Sequence, residues 1–182
     1  MTPSAFRKTP RSVFQVGGQP PRPEVATGTP DRDAALVAGR GETTMARPSR
    51  DDVVEIMKRM DICFMATRDG DRLCSRPMSN NAQVDWDGDN WFFTDGDTRK
   101  VRQLEADPTV MLDFSGEKDW VSLRGAAKLH RDDKALFEDH WTSDIDQWFP
   151  QGIDTPGLVL IQVTASEAEL FGAAGEGVVK LD

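Results

Sequence analysis

Residues that build covalent or metal-centred frameworks are scarce in this chain, whose 182 residues include two cysteines and two histidines. Cys63 and Cys74 form no Cys-x-x-Cys pair and have no histidine at metal-ligand spacing, so no metal site is indicated, and both read as buried free thiols. No apolar run of about 18 residues occurs, which leaves a membrane-spanning helix without support. Nor is there a secretory apolar segment near the start, and a cytoplasmic location is expected. Positive charge is also short. Against 31 Asp and Glu stand 22 Lys and Arg, a formal net charge of −9 whose average field repels nucleic acid and anionic membranes while leaving room for a small anion bound locally.

The length suits one domain with an appendage. Residues 1–44 hold six of the eleven prolines and five of the fifteen glycines, with 6 Lys and Arg against 4 Asp and Glu. They are expected to be a disordered N-terminal extension, and residues 45–182 the folded domain, which then carries the acidity. An Arg-rich targeting segment is the competing reading of the extension, but Pro3, Pro10, Pro20, Pro21 and Pro23 oppose a long amphipathic helix. Met45 is an alternative start.

Ser49 to Met60 reads as a capped helix with Val53, Ile56, Met57 and Met60 on one face. Ile62–Thr67 and Arg72–Asn80 are expected as a hairpin about Asp69-Gly70, with a short strand over Gln83–Asp85 and an aromatic strand over Asn90–Thr94. Thr98–Asp107 suits a short helix stopped by Pro108. Val110–Ser115 and Trp120–His130 predict two further strands, Gly125 marking a bulge or a close approach. Helical character follows over Asp132–His140, then a compact aromatic connection over 141–150 and a strand over Leu158–Thr164 that resumes through Phe171. Five to seven mainly antiparallel strands with short helices imply a mainly β domain that closes a small barrel, since closure removes exposed edges. An open sheet with helices on one face is the alternative.

The chemistry concentrates in Ser75-Arg76-Pro77-Met78, Trp91-Phe92-Phe93-Thr94 and Thr98-Arg99-Lys100. Arg76, Arg99 and Lys100 suit an oxygen-rich anion: arginine offers a planar fork and lysine a compact charge, while Thr98 adds a hydroxyl at a helix start. A solvated pair at Arg99 and Lys100, with Arg76 bonded to an acid, is the competing reading. No residue stands out as a catalytic nucleophile or general base. His130 and His140 read as surface or packing histidines.

The order and spacing of Met65–Met78, Trp91–Thr94 with Thr98–Val101, Asp107–Val110, Val121–Ala127, Trp148–Gly152 and Ala168–Phe171 resemble the general stress protein 26 group of the pyridoxamine 5'-phosphate oxidase-like, FMN-binding split-barrel superfamily. The resemblance implies a split β-barrel binding FMN, with FAD, F420 or haem as the alternatives in that superfamily. It places Arg76 at the FMN phosphate or ribityl chain, Pro77 and Met78 beside the isoalloxazine, Ser75 among the cofactor-binding residues of the same segment, and Phe93 and Thr94 at the ring border. Thr98, Arg99 and Lys100 would hold the phosphate. It further implies a homodimer with flavin near the subunit boundary, where Trp141 and Trp148 line the shared surface, although core packing is the competing reading for each.

Two departures bear on function. Leu170-Phe171 supplies no indole where the group often has tryptophan, and the chain lacks the C-terminal Arg-x-His pattern of true pyridoxamine-phosphate oxidases, which speaks against vitamin B6 oxidation. The expected function is an FMN-binding general stress protein. A flavin-dependent oxidoreductase with a small-molecule electron donor or acceptor and a non-catalytic flavin store or sensor both remain open, because a flavin carries its own redox chemistry.

Overall fold

A computed structural model of the chain describes residues 47–80, 86, 88–173 and 175–181. The extension expected over 1–44, the start at Met45 and the strand expected over Gln83–Asp85 lie outside the described residues. Helix α1 (Arg50–Met57) opens with a reciprocal cap in which the Asp52 carboxylate accepts from the Ser49 N–H at 2.7 Å and the Asp52 N–H donates to Ser49 Oγ at 3.3 Å. Its Val53, Ile56 and Met57 are buried.

Strands β1 (Ile62–Asp69) and β2 (Arg72–Ser79) form the expected hairpin. Gly70 begins its two-residue turn at φ 61°, a left-handed conformation that costs glycine little. Then come β3 (Asp89–Asp95), helix α2 (Arg99–Ala106), β4 (Thr109–Ser115) and β5 (Trp120–Arg131). Helix α3 (Lys134–His140) starts two residues later than the sequence suggests, because Asp132 turns left-handed and the Asp133 side chain caps Leu136 N–H. A single 3-10 turn (Gly152–Asp154) leads into β6 (Leu158–Gly172), and β7 (Gly175–Lys180) ends the domain. Strand β7 was not anticipated, no element being expected beyond Phe171; it pairs with β6 from Glu167↔Lys180 to Gly172↔Gly175.

The sheet runs β2-β1-β4-β5-β6-β3, with β7 also on β6 and every pairing antiparallel. Strand β6 pairs with β5 along almost its whole length, while its first half carries β3 and its second half β7. The register shifts between Arg124 and Gly125, the bulge expected from the glycine. The result is a split β-barrel, in which β2 and β3 end the sheet without pairing to each other among the described residues.

Alternation sets the interior. Cys63 and Met65, Leu112 and Phe114, Val121 and Leu123, and Ala168 and Leu170 point into one core with Phe92 and the buried face of α1. Strand β3 is buried on both faces: Phe92 joins that core, whereas Phe93 joins a second cluster with Phe137, Ile145, Leu158 and Leu160 beneath α3. This explains an aromatic run that does not alternate with polar residues.

Ile62, Phe64, Leu73, Trp120, Phe171 and Val178 remain exposed, and the registers put all six on the outer face of the sheet from β2 to β7. Trp120 and Phe171 are direct cross-strand partners.

A Cβ on Gly125 would overlap the Thr164 carbonyl oxygen, so the close β5–β6 approach admits no side chain there. Gly125→Ala is expected to lower unfolding stability by about 1 to 3 kcal/mol, the usual cost of overpacking, as read by urea titration. An unchanged midpoint would refute the constraint.

Candidate functional site

The two unpaired sheet ends face a cleft of about 500 Å³. Pro77, Met78 and Ser79 of β2 form one side, Phe93, Thr94 and Asp95 of β3 the other, with Ile62 at the edge. Ile145, Trp148 and Phe149 close the wall from the connection after α3, and Thr98 and Lys100 bring in the start of α2. Of the residues singled out in the sequence, Pro77, Met78, Phe93, Thr94, Thr98, Lys100 and Trp148 thus meet in one place. Trp148 is 70% exposed, an indole standing at the mouth.

Three cations gather around this end. Arg76, half-buried on β2, donates from Nη1 to the Met65 carbonyl at 3.0 Å and to Thr67 Oγ1 at 2.7 Å, and from Nη2 to Gln103 Oε1 at 2.8 Å. None of these acceptors is a carboxylate, so the competing reading of an arginine bonded to an acid does not hold. Burial, reinforced by the nearby Arg99 charge, holds the Arg76 guanidinium below its ordinary value against the opposing influence of Cys74. Burial and then Arg76 likewise depress Lys100, with Asp95 opposing. Neither group shares an ion pair with a carboxylate among the described residues, and Arg99 has none either. Like charges held together, with Asp95 near Lys100 but no direct ion pair, make a site that attracts an anion.

The helix start adds to this field. Thr98 is the N-cap of α2, but its hydroxyl donates to the Asp95 carbonyl at 2.9 Å and no side chain caps the first turn. Those N–H groups therefore supply positive potential at the end that carries Lys100.

Neither Arg76 nor Arg99 lines the cleft, and Arg99 donates to Cys74 Sγ at 3.2 Å. Ser75 points away on the outer face, opposite Ala66. Trp141 does not line the cleft: its ring packs edge-on against Phe93 at 4.9 Å, and its N–H donates to Asp146 Oδ1 at 2.8 Å, so it backs the wall rather than forming it. His130 and His140 flank Trp91, with His140 stacked at 3.8 Å, and neither reaches the cleft.

Gln103 was missed. It is 4% exposed, and its Oε1 accepts from both Thr67 and Arg76. Because both partners donate to that oxygen, the amide orientation is fixed and Nε2 turns elsewhere, where it has no partner. A buried donor left so costs about 1 to 3 kcal/mol. Its spacing of three and four residues from Lys100 and Arg99 was the available signal.

The sequence pattern of the pyridoxamine 5'-phosphate oxidase like family matches residues 49–181. The chain belongs to that family. No curated protein matches it, but solved structures share the fold. A Clostridium acetobutylicum protein related to general stress protein 26 is 22% identical with a TM-score of 0.64, the match covering 72% of this chain and 94% of the other. General stress protein 26 from Bacillus anthracis is 18% identical at a TM-score of 0.58, covering 71% and 98%. A general stress FMN/FAD binding protein from Xanthomonas citri is 22% identical at 0.59, covering 68% and 87%. At these identities the structural likeness establishes the split barrel alone.

This member's two thiols differ. Cys63 is buried, as expected, and burial pushes it up to about 12. Cys74 is only partly buried, in contrast to the expectation, because β2 ends the sheet. A raised thiol favours the folded state below its ordinary value of 9.0, a contribution lost as pH climbs toward about 12. At pH 8, Ellman's reagent should titrate Cys74 in the native protein and both thiols only in denaturant; two fast native thiols would refute the assignment.

Proposed function

We propose that this protein binds FMN between β2 and β3 as a homodimer and serves as a flavin-dependent oxidoreductase for small-molecule electron donors and acceptors. The observation that carries this reading is a largely apolar cleft with Lys100 and the uncapped start of α2 at one end and Arg76 close to Lys100, neither cation in a direct ion pair among the described residues. Pro77, Met78 and Phe93 suit the faces of a planar ring, while Lys100 and the uncapped start of α2 suit a terminal phosphate, with the Arg76 charge close to Lys100 behind the lining. Bound flavin would supply the electron-carrying chemistry. The residues themselves bind, orient and exclude water, and none of the cleft residues is a histidine or a cysteine. A phosphorylated deazaflavin such as F420 shares the anionic chemistry. A role in stress physiology and a cytoplasmic location accompany the reading through the names of the structural relatives and the sequence expectation.

The outer sheet face supports the dimer. Ile62, Phe64, Leu73, Trp120, Phe171 and Val178 spread across it, and Ile62 also borders the cleft. A second copy seated there would complete the cofactor site. Phe64→Asp should shift light-scattering mass from a pair of 20.2 kDa chains toward one. A wild-type monomer binding FMN at full strength would sink the shared-site reading.

A flavin store or sensor is the second reading, since bound flavin needs no protein residue to carry its redox chemistry. Turnover of NADH or NADPH by the loaded protein separates the two.

Lys100→Ala is expected to weaken FMN by about 1.5 to 3 kcal/mol, the loss of one charge-assisted contact, while riboflavin changes little. Calorimetric titration of both ligands reads the difference. Equal weakening would remove Lys100 from the phosphate site, and no effect would return it to a solvated helix face.

A further inference from the structure

The buried residues of β1 and α2 are apolar except where they meet Arg76. Strand β1 buries Cys63, Met65 and Thr67, and helix α2 buries Val101, Gln103 and Leu104. The two polar members bond each other, Thr67 Oγ1 donating to Gln103 Oε1 at 2.7 Å. Those same two oxygens, with the Met65 carbonyl, are the acceptors that hold the Arg76 guanidinium. A cation is thus seated on oxygens that all lack a charge.

The side chain at position 103 decides what becomes of that charge. An apolar residue there would leave Arg76 Nη2 and the Thr67 hydroxyl without an acceptor. A glutamate would have the shape of the glutamine and accept both bonds, but its carboxylate would pair with the guanidinium across the 2.8 Å that the amide oxygen now spans. Only the amide accepts without neutralising. It does so against the interest of the fold, since its Nε2 is sealed in the interior with no acceptor, a loss that a carboxylate would abolish. The charge kept in this way is felt in the cleft: Lys100 lines it, and after burial the Arg76 guanidinium is what lowers the Lys100 ammonium.

We infer that Gln103, which does not line the cleft, is a specificity-determining residue for phosphorylated flavin: its neutral amide seats Arg76 with the charge intact, and that charge behind Lys100 strengthens the preference for FMN over riboflavin. This rests on the flavin reading and deepens it. Gln103 touches no ligand and acts through Arg76, so it is a positioning residue, with Thr67 as its partner in the same set of bonds.

The test titrates FMN, riboflavin and inorganic phosphate calorimetrically into the full chain as wild type, Gln103→Glu and Gln103→Met, and reads the thermal midpoint of each ligand-free protein. Gln103→Glu should weaken FMN about tenfold or more and riboflavin less than about twofold, with the midpoint unchanged or raised. Gln103→Met should lower the midpoint yet weaken FMN less than about threefold, because the Met65 carbonyl and Thr67 still hold a charged Arg76. A glutamine with a purely structural role would not give this crossing, since binding would then follow stability. FMN affinity untouched by Gln103→Glu, equal losses of FMN and riboflavin, a Gln103→Glu chain that melts well below wild type or fails to fold, or a Gln103→Met loss as large as the Gln103→Glu one would each overturn the inference while wild-type FMN binding leaves the flavin reading standing. A wild type that takes up neither flavin would overturn that reading, and phosphate then decides the inference. Phosphate binding weakened about tenfold by Gln103→Glu would keep Gln103 as the determinant for a phosphorylated ligand, and phosphate binding that is absent or unaffected would overturn both.

Discussion

The pairing of β5 with β6 is the constraint on which the remaining architecture hangs. Strand β6 carries partners on its free side in two separate halves, β3 on the first and β7 on the second. To serve both, it must stay joined to β5 through the bulge at Gly125, where the two backbones come too close for any side chain. That junction brings β3 round to face β2 across a gap rather than extending a flat sheet. The cleft is therefore the remainder of an unfinished closure, and its two walls are fixed by hydrogen bonding elsewhere in the sheet.

Electrostatics then assigns that gap a character. The domain is acidic overall, yet its ion pairs of Glu167 and Glu169 with Arg124, Glu105 with Arg131 and Asp119 with Arg59 leave Arg76 aside. Arg76 is instead satisfied by a carbonyl, a hydroxyl and an amide. Such acceptors orient a guanidinium without cancelling its charge. The arrangement gives up some native stability in the empty protein and keeps a positive potential where a ligand can meet it.

Much of this was legible from residue pattern. The Asp69-Gly70 turn, the stop at Pro108 and the glycine in β5 each carry a local physical signal, and the elements follow them. Strand β7 had no such signal, since glycines at 175 and 177 weaken any strand and pairing with β6 overrides them. The cation cluster was visible as residue type, but its support was not. Thr67 and Gln103 are polar residues at inward positions, a fact that exists only once the strand and helix are packed together. Trp141 shows the opposite limit. An indole suits a ligand wall and a packed layer equally, and its distinction from Trp148 lies in tertiary placement seven residues along the chain.

The two helix starts have a thermodynamic consequence. Helix α1 closes its own first turn through Ser49 and Asp52, whereas α2 leaves that task undone. An anion docking at α2 would bind the folded chain and find no equivalent in the unfolded one, so it would raise stability by mass action. Measured heat resistance would then be a joint property of chain and solution: phosphate buffer, or cofactor carried through purification, would change the melting temperature without altering a single residue.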